Sequence, residues 1–146
     1  MIDWWGPIID EMYSGTEAVG HTIIRSQEWL AHKGSVGCAT KGCEIRILDE
    51  SGKALAPFQV GMIYMRNGHQ FEYYKDPEKT SSAVAGDGWA TLGDIGYLDE
   101  DDYLYLTDRR ANMIISGGVN IYPQEAENVL GASCRYRCGR GWNTPR

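Results

Sequence analysis

A carboxylate and a guanidinium flank one segment of this chain, with Asp94 at its start and Arg109 at its end. Gly93 leaves room beside the carboxylate, and a flexible glycine pair at 117–118 follows the cation. An adenosine nucleotide needs an acceptor of this kind for its ribose hydroxyls and a cation near its ribose or phosphate. From the residues alone, an exposed turn carboxylate and a surface-paired arginine remain the alternative interpretations.

A second polar run at residues 13–17, Tyr-Ser-Gly-Thr-Glu, has the composition of a tight loop. Its glycine allows close approach of the backbone to a phosphate, the Thr16 hydroxyl can donate to that phosphate, and the Glu17 carboxylate can hold Mg²⁺. The apolar residues within 2–12 have a roughly helical spacing, broken at Gly6-Pro7, and are expected to deliver this loop. An ordinary loop with a helix cap is the alternative interpretation.

The segment between Asp94 and Arg109 predicts a β-hairpin that positions both residues. Apolar arms at 95–98 and 103–106 flank the acidic run 99–102, a pattern typical of two antiparallel strands with a four-residue connection. Asp102 suits a left-handed turn residue in that connection. The acceptor and the cation are thereby expected at opposite ends of one hairpin.

Other local patterns predict further strands and short helices. Strands are expected at 43–48 and 60–65, and helices are expected to begin near Pro77 and at Pro123. Residues 27–42 are predicted to form irregular loops, and the aromatic side chains at 71, 73 and 74 to fill the core. The fold class is therefore mainly β (α+β), as a small, strongly bent sheet or a distorted barrel.

Length and charge limit the class of protein. The 146 residues suffice for one domain with a buried core, and no stretch reaches the roughly 18 apolar residues of a membrane span. All 20 acidic residues but only 10 of the 14 basic ones lie within 1–130, which argues against a nucleic-acid groove. The start of the chain lacks a leader pattern, so a cytoplasmic location is expected, and the oligomeric state is left open.

Several motifs, in order, resemble the adenylate-forming superfamily of acyl-CoA synthetases, peptide-synthetase adenylation domains and luciferases. They are Tyr-x-Gly-Thr-Glu at 13–17, Gly-Trp-Ala-Thr-Leu-Gly-Asp at 88–94, Asp-Arg at 108–109, and Ile-Ser-Gly-Gly-Val-Asn-Ile-Tyr-Pro-Gln-Glu at 115–125. The last motif is most similar to that of the CoA ligases.

The resemblance implies roles for the matched residues. Tyr13 would lie against the adenine, Gly15 would line the acyl pocket, and Thr16 and Glu17 would be catalytic groups at the phosphates. Glu17 would also be the Mg²⁺ ligand. The implied nucleotide-binding residues are Tyr13, Gly15, Thr16, Asp94, Arg109, Gly117 and Gly118. The 13–17 loop and Asp94 are thus expected to converge on one adenosine-sized cleft, closed from the side by Arg109.

The resemblance further implies an internal piece of an acyl-CoA synthetase. Such an enzyme converts a carboxylic or fatty acid, ATP and CoA to acyl-CoA, AMP and pyrophosphate through an acyl-adenylate. Residues 1–108 would be the C-terminal part of the large AMP-binding domain, 109–130 the hinge and the start of the small domain, and 131–146 a disordered tail unlike the family. Ala111 occupies the hinge position, which is usually aspartate or lysine.

The family's phosphate loop and its distant lysine have no counterpart in this sequence, so little or no activity is expected from the chain alone. ATP, Mg²⁺ and CoA are cofactor and substrate expectations for the full-length enzyme. One alternative is a small β-rich nucleotide-binding or interaction module without catalysis. Another is a chain whose open sheet edges prevent stable folding.

Overall fold

A seven-stranded antiparallel sheet dominates the computed structural model, which describes residues 2–117 and 119–132. Its strands are β1 (Asp10–Ser14), β2 (His21–Arg25), β3 (Ser35–Ala39), β4 (Glu44–Leu48), β5 (Gly61–Arg66), β6 (Asp94–Leu98) and β7 (Leu104–Arg109). Their order across the sheet is β1-β2-β3-β7-β6-β5-β4. The mainly β prediction is therefore confirmed.

A smaller hairpin and four helices complete the described part of the chain. The hairpin pairs β8 (Ile114–Ser116) with β9 (Val119–Ile121), and the helices are α1 (Ile2–Trp5), α2 (Ser26–Ala31), α3 (Pro77–Ala83) and α4 (Pro123–Ala132). Helix α4 thus continues beyond the predicted boundary at residue 130, and the rest of the predicted tail, 133–146, lies outside the described residues. None of the described helices is both long enough and apolar enough to cross a bilayer.

Buried side chains of the large sheet form the core. In β2 burial alternates: Thr22 and Ile24 are buried, while the residues on either side of each face solvent. In β7, Leu104 is 0% exposed, whereas Leu106, two residues further along the same face, is 41% exposed, so burial decreases toward the end of this strand. The buried cluster consists of Val19, Val36, Ile47, Ile63, Met65, Ala90 and Leu104.

The predicted hairpins are confirmed. β4 pairs with β5, and β6 pairs with β7, around a turn in which the Asp99 carboxylate accepts the backbone N–H of Tyr103 at 2.9 Å. Asp102 has φ = 62°, the left-handed conformation that the acidic connection predicted. Helix α3 begins as predicted, because Asp76 caps it by accepting the Lys79 N–H at 2.9 Å.

The prediction of irregular loops over 27–42 is wrong, since this stretch contributes to α2 and all of β3. That prediction interpreted the glycines in this stretch as signs of loops. Gly37 has φ = 95° within β3, and a Cβ there would overlap the Ile23 carbonyl of the neighbouring strand. Glycine at this position permits close packing of β2 on β3 rather than ending a strand.

The sheet is strongly curved but open. β1 and β6 are four places apart in the strand order, a separation of about 19 Å in a flat sheet. The side-chain hydroxyl of Tyr13 on β1 is nevertheless 2.6 Å from Asp94 Oδ2 on β6. Within the described residues β1 and β4 remain unpaired edges, so of the two predicted forms, sheet or barrel, the structure has the sheet.

Candidate nucleotide site

Asp94 and Arg109 are direct neighbours across the β6–β7 hairpin. Asp94 pairs with Arg109 in the strand register, and Arg109 Nε lies 3.1 Å from Asp94 Oδ1. Because a hairpin brings its first and last residues together, the two ends of this segment lie side by side. The carboxylate is buried while the Arg109 side chain is 75% exposed, so the guanidinium can swing toward a ligand without uncovering the core.

Tyr13 completes this cluster from the far edge of the sheet. Its hydroxyl donates to Asp94 Oδ2 at 2.6 Å. Burial, and then the hydrogen bond to the Asp94 carboxylate, raise the pKa of Tyr13 far above its usual value, so the phenol stays protonated. The donor, the carboxylate and the cation thus come from three different strands: β1, β6 and β7.

The Thr16–Glu17 turn follows β1 directly. Thr16 Oγ1 donates to Glu17 Oε2 at 3.3 Å, and the Tyr73 hydroxyl donates to Glu17 Oε1 at 2.8 Å. The Tyr73 hydrogen bond is the main reason why the pKa of Glu17 lies below its usual value. Glu17 is consequently an anion at neutral pH, with oxygen atoms of the kind that Mg²⁺ prefers.

One cleft of about 820 Å³ joins these groups. Among the predicted site residues, it is lined by Tyr13, Gly15, Thr16, Glu17, Asp94 and Arg109. Gly117 lies in the β8–β9 turn and does not line this cleft, and Gly118 lies outside the described residues. Two separate motifs, more than seventy residues apart in sequence, therefore line one cleft.

Several cleft residues were missed by the sequence analysis. Asn112, Gln124 and Asn128 also line the cleft, and Gln124 and Asn128 belong to α4. Asp108 holds this helix in place, because its Oδ2 accepts the Gln124 backbone N–H at 3.2 Å. The sequence did predict a helix beginning with proline after the Asp-Arg motif. No local pattern, however, indicated that this helix would lie at the cleft.

The aromatic cluster at 71–74 was assigned a single role and has three. Phe71 packs against the core as predicted. Tyr74 is 86% exposed, so core filling is wrong for it. Tyr73 reaches Glu17, a contact that sequence spacing cannot reveal because 56 residues separate the two.

Comparisons with known proteins match most of the chain to CoA ligases. No family model matches the chain. The 2-succinylbenzoate–CoA ligase of Bacillus subtilis (strain 168) is 38% identical over 121 residues, 82% of this chain and 25% of that protein. The indoleacetate–CoA ligase of Aromatoleum aromaticum is 42% identical over 124 residues, 84% of this chain and 24% of the ligase.

Solved structures show the same architecture. The unliganded O-succinylbenzoate coenzyme A synthetase from Bacillus subtilis matches with a TM-score of 0.78 and 32% identity, covering 88% of this chain and 28% of that one. Other structures of that enzyme contain AMP, or ATP and a magnesium ion. The chain spans about a quarter of the length of the curated relatives it matches.

The curved antiparallel sheet is the β-rich portion of an adenylating domain. The chain belongs to the adenylate-forming superfamily, and within it matches a segment of the acyl-CoA ligases.

Proposed function

We propose that this chain supplies the adenosine-binding part of the site of an AMP-forming acyl-CoA ligase. The observation that carries the proposal is the convergence of Tyr13, Glu17 and Asp94 on one cleft beside Arg109. These residues come from distant parts of the sequence, and the curvature of the sheet is what brings them together. The nucleotide complexes of the Bacillus subtilis enzyme support the same assignment by homology.

Asp94 has the capacity to hold the ribose. An ionised carboxylate offers about four lone-pair sites, of which Tyr13 and Arg109 occupy two. The remaining two match the two hydroxyls of a ribose diol. Tyr13 lies beside them and offers its ring face to the adenine, while Arg109 supplies positive charge near the ribose or the phosphate.

Thr16 and Glu17 fit the phosphate end of the same nucleotide. The Glu17 carboxylate and the Thr16 hydroxyl are oxygen donors at the cleft wall, which suits a hard cation such as Mg²⁺. When bound, Mg²⁺ neutralises phosphate charge. A Cβ at Gly15 would lie 2.7 Å from Leu92 Cδ2 and 2.8 Å from Glu17 Oε2, so glycine lets these two side chains pack closely against the loop backbone, and its role at the acyl group stays a prediction.

The reaction that we assign to the complete site joins a carboxylic acid to the α-phosphate of ATP with release of pyrophosphate, and then passes the acyl group to the thiol of CoA with release of AMP. Arg109 is the one cation lining the cleft within the described residues. Because stabilisation of phosphate charge dominates such a reaction, we infer little or no turnover by these residues alone. A fatty acid as the acid substrate and a cytoplasmic location remain predictions, as do the domain boundaries at 108 and 130.

A nucleotide-binding module without catalysis is the second candidate. The low positive charge of the cleft favours it, since AMP binding needs fewer cations than phosphoryl chemistry does. An assay for acyl-adenylate and acyl-CoA formation tests the inference of little or no turnover. Robust turnover by the purified chain contradicts the inferred lack of activity, and AMP binding without turnover agrees with both.

AMP affinity, measured by isothermal titration calorimetry, tests the site itself. Asp94→Ala is expected to weaken AMP binding at least about tenfold, the loss of roughly one charge-assisted hydrogen bond. Asp101→Ala, at the exposed tip of the same hairpin, serves as the matched control and should bind AMP as the wild type does. Asp94→Asn removes the charge but keeps the shape of the side chain, so a loss of AMP affinity in this variant is not explained by a folding defect. Equal AMP affinity in all four proteins would refute the proposed site.

A further inference from the structure

Glu17 sits on a turn that provides little support for its own carboxylate. The turn is closed by the Ala18 N–H bonding to the Gly15 carbonyl at 3.1 Å, and it follows β1, an edge strand. Within the described residues, no lysine or arginine forms an ion pair with Glu17. The carboxylate therefore depends on hydrogen bonds for its orientation.

Tyr73 provides the stronger of these hydrogen bonds. Its hydroxyl lies 2.8 Å from Glu17 Oε1, whereas the Thr16 hydroxyl lies 3.3 Å from Oε2 and moves with the same turn. Tyr73 comes from a different part of the chain, so it can hold the carboxylate relative to the body of the domain.

Tyr73 is itself held from three sides. Its backbone N–H donates to Thr80 Oγ1 at 2.9 Å, its ring packs edge-on against Phe71 with centroids 5.3 Å apart, and the Lys79 ammonium lies 4.1 Å from the ring centroid. Thr80 and Lys79 belong to α3, whose N terminus is capped by Asp76. Helix α3 thus braces Tyr73, and Tyr73 in turn braces Glu17.

We propose that Tyr73 is a positioning residue, whose hydroxyl holds the Glu17 carboxylate in the orientation that binds the divalent cation of a metal–nucleotide complex. The proposal rests on the proposed nucleotide function of the cleft. With one lone pair of Oε1 taken by Tyr73 and one of Oε2 taken by Thr16, each carboxylate oxygen keeps a lone pair for a cation. Hydrogen-bond partners that orient a metal ligand typically contribute about 10- to 100-fold to metal affinity.

Tyr73→Phe in the full 146-residue chain removes the hydroxyl and keeps the ring, and Tyr74→Phe is the matched control on the exposed neighbour. The probe is the non-hydrolysable analogue α,β-methylene-ATP, titrated by calorimetry once with Mg²⁺ and once with EDTA. The ratio of the two affinities measures the contribution of the metal. We expect Tyr73→Phe to reduce this ratio about 10- to 100-fold without changing the affinity in EDTA, and Tyr74→Phe to change neither.

A double variant distinguishes positioning from general packing. If Tyr73 acts through Glu17, Tyr73→Phe has no further effect on the ratio in a Glu17→Gln background. A wild-type ratio in Tyr73→Phe overturns the proposal. So does a parallel loss of affinity in Mg²⁺ and in EDTA, which would mark Tyr73 as merely structural.

A second readout keeps the proposal testable if the wild-type chain binds no nucleotide, a result that would refute the proposed function. The ¹³C chemical shift of the Glu17 carboxyl carbon, measured in the ligand-free protein at one fixed pH, reports its hydrogen bonding directly. We expect this shift to change in Tyr73→Phe and to stay the same in Tyr74→Phe. An unchanged shift in Tyr73→Phe overturns the positioning role regardless of nucleotide binding.

Discussion

The hydroxyl of Tyr13 donates a 2.6 Å hydrogen bond to Asp94, a residue 81 positions further along the chain. The two residues occupy strands that are four places apart in the sheet. This bond joins the first strand to the central hairpin and shapes the cleft at the same time, so it connects stability to the nucleotide site.

Tyr13→Phe is expected to lower the free energy of unfolding by about 1.5 kcal/mol, because it removes a hydrogen bond to a charged group and leaves the ring in place. Urea denaturation followed by fluorescence measures this loss. Tyr74→Phe, on an exposed ring, should leave the midpoint unchanged. Equal stability of the wild type and Tyr13→Phe would show that the bond does not contribute to folding.

Tyr105 should make the protein sensitive to alkali. Burial, and then its hydrogen bond to Asp99, raise the pKa of Tyr105 to about 12. A pKa that is higher in the folded state means that the stabilising contribution is complete below the unfolded value near 10 and is lost as the pH rises through about 12. Tyr105→Phe should therefore flatten the dependence of the unfolding free energy on pH across this window.

The control for that measurement is Tyr97→Phe, which retains the ring stacked on Tyr105 at a centroid distance of 4.9 Å. Its alkaline profile should parallel that of the wild type. Identical slopes for the wild type and Tyr105→Phe between pH 10 and 12 would contradict the assignment of the raised pKa.

Leu104 and Leu106 offer a matched pair on one strand. Leu104→Ala should lower the free energy of unfolding by about 2–5 kcal/mol because the side chain is 0% exposed. Leu106→Ala, two residues further along the same face of β7 with 41% exposure, should lower it by well under half as much. Chemical denaturation of both variants gives the comparison, and similar losses would contradict the difference in burial between the two side chains.

Alanine substitutions at Gly37 and Gly34 distinguish the effect of a steric clash from the effect of backbone strain alone. Both have positive φ, 95° and 90°, but a Cβ at Gly37 would meet the Ile23 carbonyl while a Cβ at Gly34 meets nothing within 4 Å. Gly34→Ala should cost about 1 kcal/mol and Gly37→Ala distinctly more. Thermal unfolding of the two variants measures the difference, and a Gly37→Ala variant as stable as Gly34→Ala would rule out the close approach of β2 and β3.

Asp108 should control the start of α4. Its carboxylate accepts the backbone N–H groups of Arg109 and Gln124 and the side-chain amide of Asn112. Asp108→Ala removes the capping acceptor, so amide exchange at Gln124 should accelerate by about fivefold, equivalent to about 1 kcal/mol. Glu100→Ala, in the exposed hairpin turn, should leave this exchange rate unchanged, and a wild-type rate in Asp108→Ala would show that the helix is held by other contacts.

Local sequence patterns predicted those strands and helices that are specified by a few consecutive residues. The β6–β7 hairpin, the β4–β5 hairpin and the capped start of α3 all follow from alternation, turn residues and a capping aspartate. β3 was missed because one of its two pairing partners, β7, is far away in sequence, and because its glycine allows the close approach of β2 rather than forming a turn. No pattern within residues 35–39 indicates that this segment pairs with β7.

The candidate site likewise has features that the sequence predicted and features that only the folded structure decided. The sequence alone determined the residue types and their order in the Tyr-Ser-Gly-Thr-Glu run and in the Asp94 and Arg109 motifs, and the site was predicted from these. Only the tertiary structure decided that Asp94 lies beside Arg109, that Tyr13 reaches across the curved sheet, and that Tyr73 holds Glu17. The physical reason is that residue types and their order can be read directly from the sequence. Distances across a curved sheet instead depend on which strands pair and on the twist accumulated over all of them.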